Sequence, residues 1–270
     1  MLQVLERWSV RTLGRPAVRQ GRPVVRAVDL LRLGPAERAE LLDRVERLFS
    51  EFFPGGGGVR AFCTDPLATH VLLRLAEVDG VLEGCSVYRR DDLTLDGTDV
   101  AVHRGYAAMR PRGRGNVTSS YTPDIVRYLF SPAGRRRVSL IFGRSFTPAT
   151  YLITRRYCPS VYPRPGDTQD PEQEALARRL CELYGFELCP SEPGAPLVSP
   201  HARSQEFADP EARARAAASD HPDVRFYLEH CPLDTDRTLV LAGRIEARMA
   251  LGVLRTALRV QGRKALRMRS

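Results

Sequence analysis

Met109-Arg110-Pro111-Arg112-Gly113-Arg114-Gly115-Asn116 is the stretch on which the reading of this chain turns. It follows an extended run from Thr98 to Met109 and precedes a segment, Thr122 to Phe130, in which Ile125, Val126, Leu129 and Phe130 give a helical pattern. A glycine-bearing turn between a strand and a helix is a setting for anions. Glycine lets the backbone come close, successive N–H groups point at the anion, and the helix N-terminus adds a favourable dipole. The arginines add charge-assisted bonds. Arg110, Arg112, Gly113, Arg114, Gly115 and Asn116 are therefore the candidates for holding a phosphorylated ligand.

Upstream of the turn, Val24 to Leu33 reads as a strand, and Ala36 to Phe53 as a helix with Leu41, Leu42, Val45, Leu48, Phe49 and Phe52 on one side. Pro54 and Gly55 to Gly58 end that helix. These glycines precede no Gly-Lys-Ser/Thr and read as a loop. His70 to Val78 and Val81 to Arg89 read as two strands joined at Asp79-Gly80, with a polar, turn-rich stretch from Asp91 to Gly97 before the strand that enters the turn. Downstream, Val138 to Phe142 has the wholly apolar character of a buried strand. A helix opens at Thr147-Pro148 and ends at Cys158-Pro159, and another runs from Pro171 to Tyr184, capped by Gly185. Residues 189–222 read as loop with one arginine-alanine helical piece, and Gly243 to Arg267 as a long basic amphipathic pattern.

At 270 residues the chain can bury a substantial core. No run of about 18 apolar residues occurs and the N-terminus lacks a secretory signal, so the expectation is a cytoplasmic protein. The first 23 residues are rich in arginine and poor in acids, and read as a basic segment packed on the domain rather than a transit peptide. The net charge is +9, and all but one of the 41 basic residues are arginine, the exception being Lys264. Such a balance suits nucleic acid, an anionic surface or an anionic cofactor. Nucleic acid is set aside because no aromatic cluster stands beside the basic runs. The six cysteines form no CxxC pair and have no histidine at metal-ligand spacing, so no metal is expected and the thiols are read as reduced.

The turn resembles the pyrophosphate loop of the GNAT N-acetyltransferase superfamily, which reads Arg/Gln-x-x-Gly-x-Gly/Ala where a central strand meets a helix. Arg110-Pro111-Arg112-Gly113-Arg114-Gly115 fits that wording, and a second register beginning at Arg112 places Val117 where a small residue belongs. The order strand, helix, three strands, turn, helix, strand, helix is also the GNAT order, over residues 24–165, and the run from Thr147 to Pro163 resembles the last core helix of a divergent bacterial branch. The resemblance implies an α/β (α+β) fold with a central, twisted, mostly antiparallel sheet flanked by helices. It implies acetyl-CoA or another acyl-CoA as co-substrate, with the backbone from Arg112 to Asn116 on its pyrophosphate. The reaction implied is transfer of the acyl group to a small-molecule or protein amine by direct attack in a ternary complex. The division expected is a lead-in over 1–23, the acyl-CoA-binding core over 24–165 and a largely helical extension over 166–270.

Many members of that superfamily use a strand carboxylate as base and a tyrosine on the helix after the next strand as acid. Here Tyr151 lies in that helix, displaced from the usual place, and His103 is the titratable group on the third strand with a pKa suited to proton transfer. Glu77 and Glu83 are further candidate bases. Tyr151 and His103 are the expected catalytic pair, each with a bland alternative as a packed core residue. A protein that holds acyl-CoA as a sensor or scaffold, without transfer, is the rival function. Arg244, Arg248, Arg255, Arg259 and Arg263 recur on the basic C-terminal pattern. They read either as the solvated face of a packed helix or as a weak docking surface for anionic lipid or an acidic carrier protein.

Overall fold

The computed structural model describes residues 24–53, 57–110, 122–158, 160–166, 170–192, 194–200 and 210–246. Period-two apolar residues and two left-handed turns build the centre of the sheet. β2 (His70–Val78), β3 (Val81–Leu95) and β4 (Thr98–Met109) form an antiparallel meander. Its turns are Asp79-Gly80, with φ of 50° and 80°, and Asp96-Gly97, with φ of 49° and 76°. Two successive residues at positive φ make the turn whose twist matches that of the flanking strands, which is why an Asp-Gly pair stands at each. β1 (Val24–Asp29) adds antiparallel to β2, and β5 (Val138–Ser145) lies parallel to β4. β7 (Arg237–Arg244) pairs antiparallel with β5 and with β6 (Val198–Pro200), completing a seven-stranded sheet in the order β1-β2-β3-β4-β5-β7-β6.

Helices cover both faces. On one, α1 (Pro35–Ser50) and α2 (Val59–Thr64) set Leu42, Val45, Phe49 and Cys63 against Leu73, Leu75, Cys85 and Val87. On the same face α5 (Pro171–Leu183) packs Ala177 and Leu180 on Val102, Leu140, Phe142 and Val240. On the other, α4 (Pro148–Tyr157) and α7 (Pro222–His230) bury Tyr151 and Tyr227 against Leu239 and Leu241. α3 (Thr122–Leu129) lies there too, tied to β2 by the Arg74–Asp124 ion pair, while α6 (Pro210–Ala217) is an exposed piece of the extension. The fold is thus the mixed α/β arrangement that the element order implied. Beyond residue 165 the described chain holds α5, α6 and α7 and also lends β6 and β7 to the sheet.

Several boundaries differ from the sequence reading, each for a physical reason. The first strand stops at Asp29, whose carboxylate accepts from the Leu31 N–H and starts a short 3-10 turn, Leu30–Arg32. β3 runs on to Leu95 through the supposedly turn-rich stretch. Asp91 and Asp92 are held there by arginines two residues earlier on the same strand faces, Arg89 to Asp91 at 2.6 Å and Arg90 to Asp92 at 3.0 Å. The helix α2 has six residues, too few to show a period. Gly243 and Arg244, read as the start of the basic amphipathic pattern, belong to β7. The rest of that pattern from Arg248 onward, and the N-terminal lead-in, lie outside the described residues.

Candidate functional site

Two central strands part company in the middle of this sheet. β4 and β5 pair only over Val100–His103 and Val138–Ile141. Past that point β4 follows β3 to Met109, and β5 follows β7 to Ser145, so a wedge opens between them towards their C-terminal ends. The wedge is accessible. Gly105 is exposed and Tyr106 and Ala107 are only half-buried, although β4 is the middle strand of seven. One side carries small groups: Gly105 and Ala107 alternate with Tyr106, and nothing lies within 4 Å of where a Cβ on Gly143 would stand. The other side carries Arg104, Tyr106, Phe142 and Arg144, with Tyr106 and Phe146 stacked at 5.8 Å across the opening. Backbone from Gly105 to Met109 has no ladder partner on the β5 side among the described residues. A half-open central strand can accept an extended ligand as an added strand.

β4, which lines the wedge, ends at Met109, directly before the glycine-arginine stretch in the sequence. Of the cradle residues, Arg112, Gly113, Arg114, Gly115 and Asn116 lie outside the described residues. Arg110 is described, and its side chain is already engaged. Its Nε donates to Glu51 Oε2 at 2.7 Å and its Nη1 to the Leu82 carbonyl at 3.0 Å, while its backbone N–H donates to the Glu83 carbonyl at 2.8 Å. Arg110 therefore clamps the β4 terminus to the end of α1 and to β3. The hydrogen bond from Arg110 holds the Glu51 carboxyl below the usual range.

Neither member of the expected catalytic pair is exposed in the wedge, although His103 is the last β4 residue paired with β5. Tyr151 is fully buried under α7, with Phe226 at 5.9 Å, and its hydroxyl donates to the Pro163 carbonyl at 2.8 Å. Burial raises its pKa, so in this arrangement its proton serves packing. His103 shares one strand face with Gly105, Ala107 and Met109, as alternation requires, but it is 1% exposed between Tyr88 and Tyr128. Its Nδ1 is hydrogen-bonded to the Tyr88 hydroxyl at 2.8 Å, and burial pulls its pKa down to about 3. A group so weakly basic is a poor acceptor for an ammonium proton near neutrality. Glu77 is bound by Arg44 at 2.6 Å, and Glu83 lies 3.8 Å from Arg110.

What the sequence reading passed over is a nest of arginines on the α1 face of the wedge, two of them buried and Arg144 half-buried. Arg89 and Arg104 are cross-strand neighbours, and Arg144 lies further along the same face of β5. Arg89 is fully buried and is bound by Asp91 at 2.6 Å and Asp65 at 3.0 Å; Tyr184 in turn donates to Asp91 at 2.6 Å. Arg104 differs. Its guanidinium makes no hydrogen bond or ion pair among the described residues and stands against four rings, Tyr184 at 4.0 Å, Phe62 at 5.0 Å, Phe186 at 5.5 Å and Phe142 at 5.6 Å. Burial draws its pKa down to about 10. Arg144 lies over Phe186 at 4.1 Å, with one long bond to the Ser199 hydroxyl at 3.4 Å. In a chain this rich in arginine, neither position stands out; the only signal was an arginine inside an apolar strand pattern.

No family model and no curated protein matches the chain. Among solved structures, it is similar to a conserved protein of unknown function from Enterococcus faecalis described as a probable N-acyltransferase, at 16% identity and a TM-score of 0.31. That match covers 49% of this chain and 31% of the other, so less than a third of that structure is spanned. It is also similar to Eis1 from Mycobacterium abscessus, at 17% identity and a TM-score of 0.29, over 79% of this chain and 64% of the other. Among the described residues, no helix is long and apolar enough to cross a membrane, and no cluster of three metal-ligating side chains occurs.

Proposed function

We propose that this protein is an acyltransferase that moves an acetyl or longer acyl group from acyl-CoA to an amine. The observation that carries the reading is the wedge between β4 and β5, open at Gly105 to Ala107 on the strand that ends at Met109, just before the Arg110–Gly115 sequence in the chain. An extended thioester arm lying in the wedge takes main-chain hydrogen bonds from β4, as an added strand would. The same backbone polarises the thioester carbonyl where negative charge develops. Its pyrophosphate falls to the turn from Arg112 to Asn116. The amine nitrogen attacks the carbonyl carbon, the C–N bond forms and the C–S bond breaks. Coenzyme A leaves as a thiolate that takes up a proton, and the amine releases one to solvent. Holding amine and thioester together in the wedge supplies much of the rate. The positions of Tyr151 and His103, and the engagement of Glu77 and Glu83, favour one rival, an acyl-CoA-holding scaffold without transfer. Docking of the basic C-terminal segment on an anionic surface or carrier protein is retained as a subsidiary proposal.

The test is a calorimetric titration of acetyl-CoA into wild type, Gly143→Leu and Gly115→Val. Leucine at residue 143 enters open space beside the wedge without backbone strain. We expect each variant to keep its melting temperature and to bind at least tenfold more weakly, about 1.4 kcal/mol. Equal affinity in wild type and Gly143→Leu overturns the wedge as the site. Release of the CoA thiol only when amines are added separates transfer from mere binding.

A further inference from the structure

The Arg104 guanidinium is the feature of this site that folding alone does not explain. A cation withdrawn from water is costly unless it is paired, and arginine carries five donors that seek acceptors. Arg104 is 8% exposed, and its Nε is buried with no acceptor. Four aromatic rings offer cation–π attraction but no lone pair. Its neighbour Arg89 has two carboxylates, so the local acids are already engaged. Arg144, the second arginine packed on Phe186, has a hydroxyl but no carboxylate. Counting Arg89, Arg104 and Arg144 against Asp65 and Asp91 leaves one positive charge in excess. Both Arg104 and Arg144 flank the opening, Arg104 being the first β4 residue beyond the paired stretch.

We propose that Arg104 and Arg144 form the seat of a carboxylate, and that the acceptor amine entering the wedge is one that carries such a group, an amino acid or a molecule shaped like one. The word acceptor rests on the acyl-transfer reading; the carboxylate seat does not. A single excess charge matches one carboxylate, whereas a phosphate would bring up to two negative charges. The planar fork of Arg104 suits two carboxylate oxygens, which lysine could not match. The rings of Phe142, Phe186, Tyr106 and Phe146 give the body of the ligand an apolar wall.

Two measurements test this. In the first, phenylacetate and inorganic phosphate are titrated separately into wild type, Arg104→Met, Arg104→Lys and Arg144→Gln. Removing an unpaired buried charge should leave the melting temperature of Arg104→Met unchanged or higher. Should that variant fail to fold, Arg144→Gln carries the comparison. We expect phenylacetate to bind wild type more tightly than phosphate and to weaken at least tenfold in Arg104→Met and in Arg144→Gln, with Arg104→Lys between. No binding to wild type, equal binding to the folded variants, or a preference for phosphate overturns the seat. In the second, acetyl transfer to phenylalanine and to phenethylamine is compared. We expect kcat/KM to favour phenylalanine at least tenfold, and the ratio to collapse towards one in Arg104→Met or Arg144→Gln, whichever is folded. Transfer with no preference for the carboxylate overturns the acceptor assignment. If no transfer occurs but phenylacetate binding depends on Arg104, the seat stands and the acyl-transfer reading falls.

Discussion

His103 shows how one buried side chain exchanges a chemical role for a thermodynamic one. Its pKa drops from the ordinary 6.5 to about 3 because the imidazolium cannot be solvated between two tyrosines. The unfolded chain therefore binds a proton below pH 6.5 that the folded chain refuses, so stability falls as the pH drops through that window. Between pH 7.5 and 5 this amounts to roughly 2 kcal/mol. His70 shifts in the same direction, again chiefly through burial, and adds to the slope. We expect denaturant unfolding of wild type to show a stability loss over that range about 2 kcal/mol greater than that of His103→Gln, which keeps a polar group for the Tyr88 hydroxyl. Parallel pH profiles for the two proteins would mean that His103 is protonated in the fold. At this scale, the strand alternation that gave His103 its face was legible from the sequence. Its burial was not, because that depends on Tyr88 across the ladder and Tyr128 on a helix that follows the turn. The same holds for Arg104, whose aromatic box is assembled from Phe62, Phe142, Tyr184 and Phe186 on three separate stretches of chain.

Among the elements, α3 and Arg110 are the described groups on either side of the Arg112–Asn116 sequence. Arg110 is held against Glu51 and Leu82, and α3 is held to β2 through Asp124 on Arg74. Both side chains of the second pair are largely buried, so removing one partner strands the other. Asp124→Asn should cost about 3 kcal/mol, whereas the double change Arg74→Met with Asp124→Leu should cost far less, since it strands no charge. If the proposed phosphate site precedes α3, loosening that helix by Asp124→Asn should also weaken acetyl-CoA binding at a temperature where the variant is still folded. A thermal melt and a calorimetric titration on the same samples check both; a melt equal to wild type would mean that the pair is solvated. Strong local signals made many elements legible. Leu41 to Phe49 spelled α1, the Asp-Gly pair marked the β2–β3 turn, and Gly185 ended α5 at a φ of 64°. Polar residues hid the second half of β3, because Asp91 and Asp92 signal a turn until their arginines are placed beside them.

The whole molecule is organised around a sheet that the chain finishes late. β7 is separated from β5 by more than ninety residues, yet it pairs with β5 from Leu140 to Ser145 and is buried from Thr238 to Gly243. Its residues serve both cores: Val240 and Ala242 pack under α5, and Leu239 and Leu241 under α4 and α7. Ile245 adds one more backbone bond, to the Ser139 carbonyl at 2.8 Å. Where β5 leaves β4, it keeps a ladder partner in β7 through to Ser145. An acyl-CoA core ending near residue 165 would leave that edge bare, with Leu140 and Phe142 uncovered, and an unpaired apolar edge is an aggregation hazard. We therefore expect a 24–165 fragment to lack cooperative thermal unfolding and to bind no acetyl-CoA, while 24–246 melts in one transition with affinity close to that of the full chain. Circular dichroism melts and calorimetry on the two fragments decide the matter. A cooperative, CoA-binding 24–165 fragment would make the extension an appendage and would place the origin of the wedge in β4 and β5 alone.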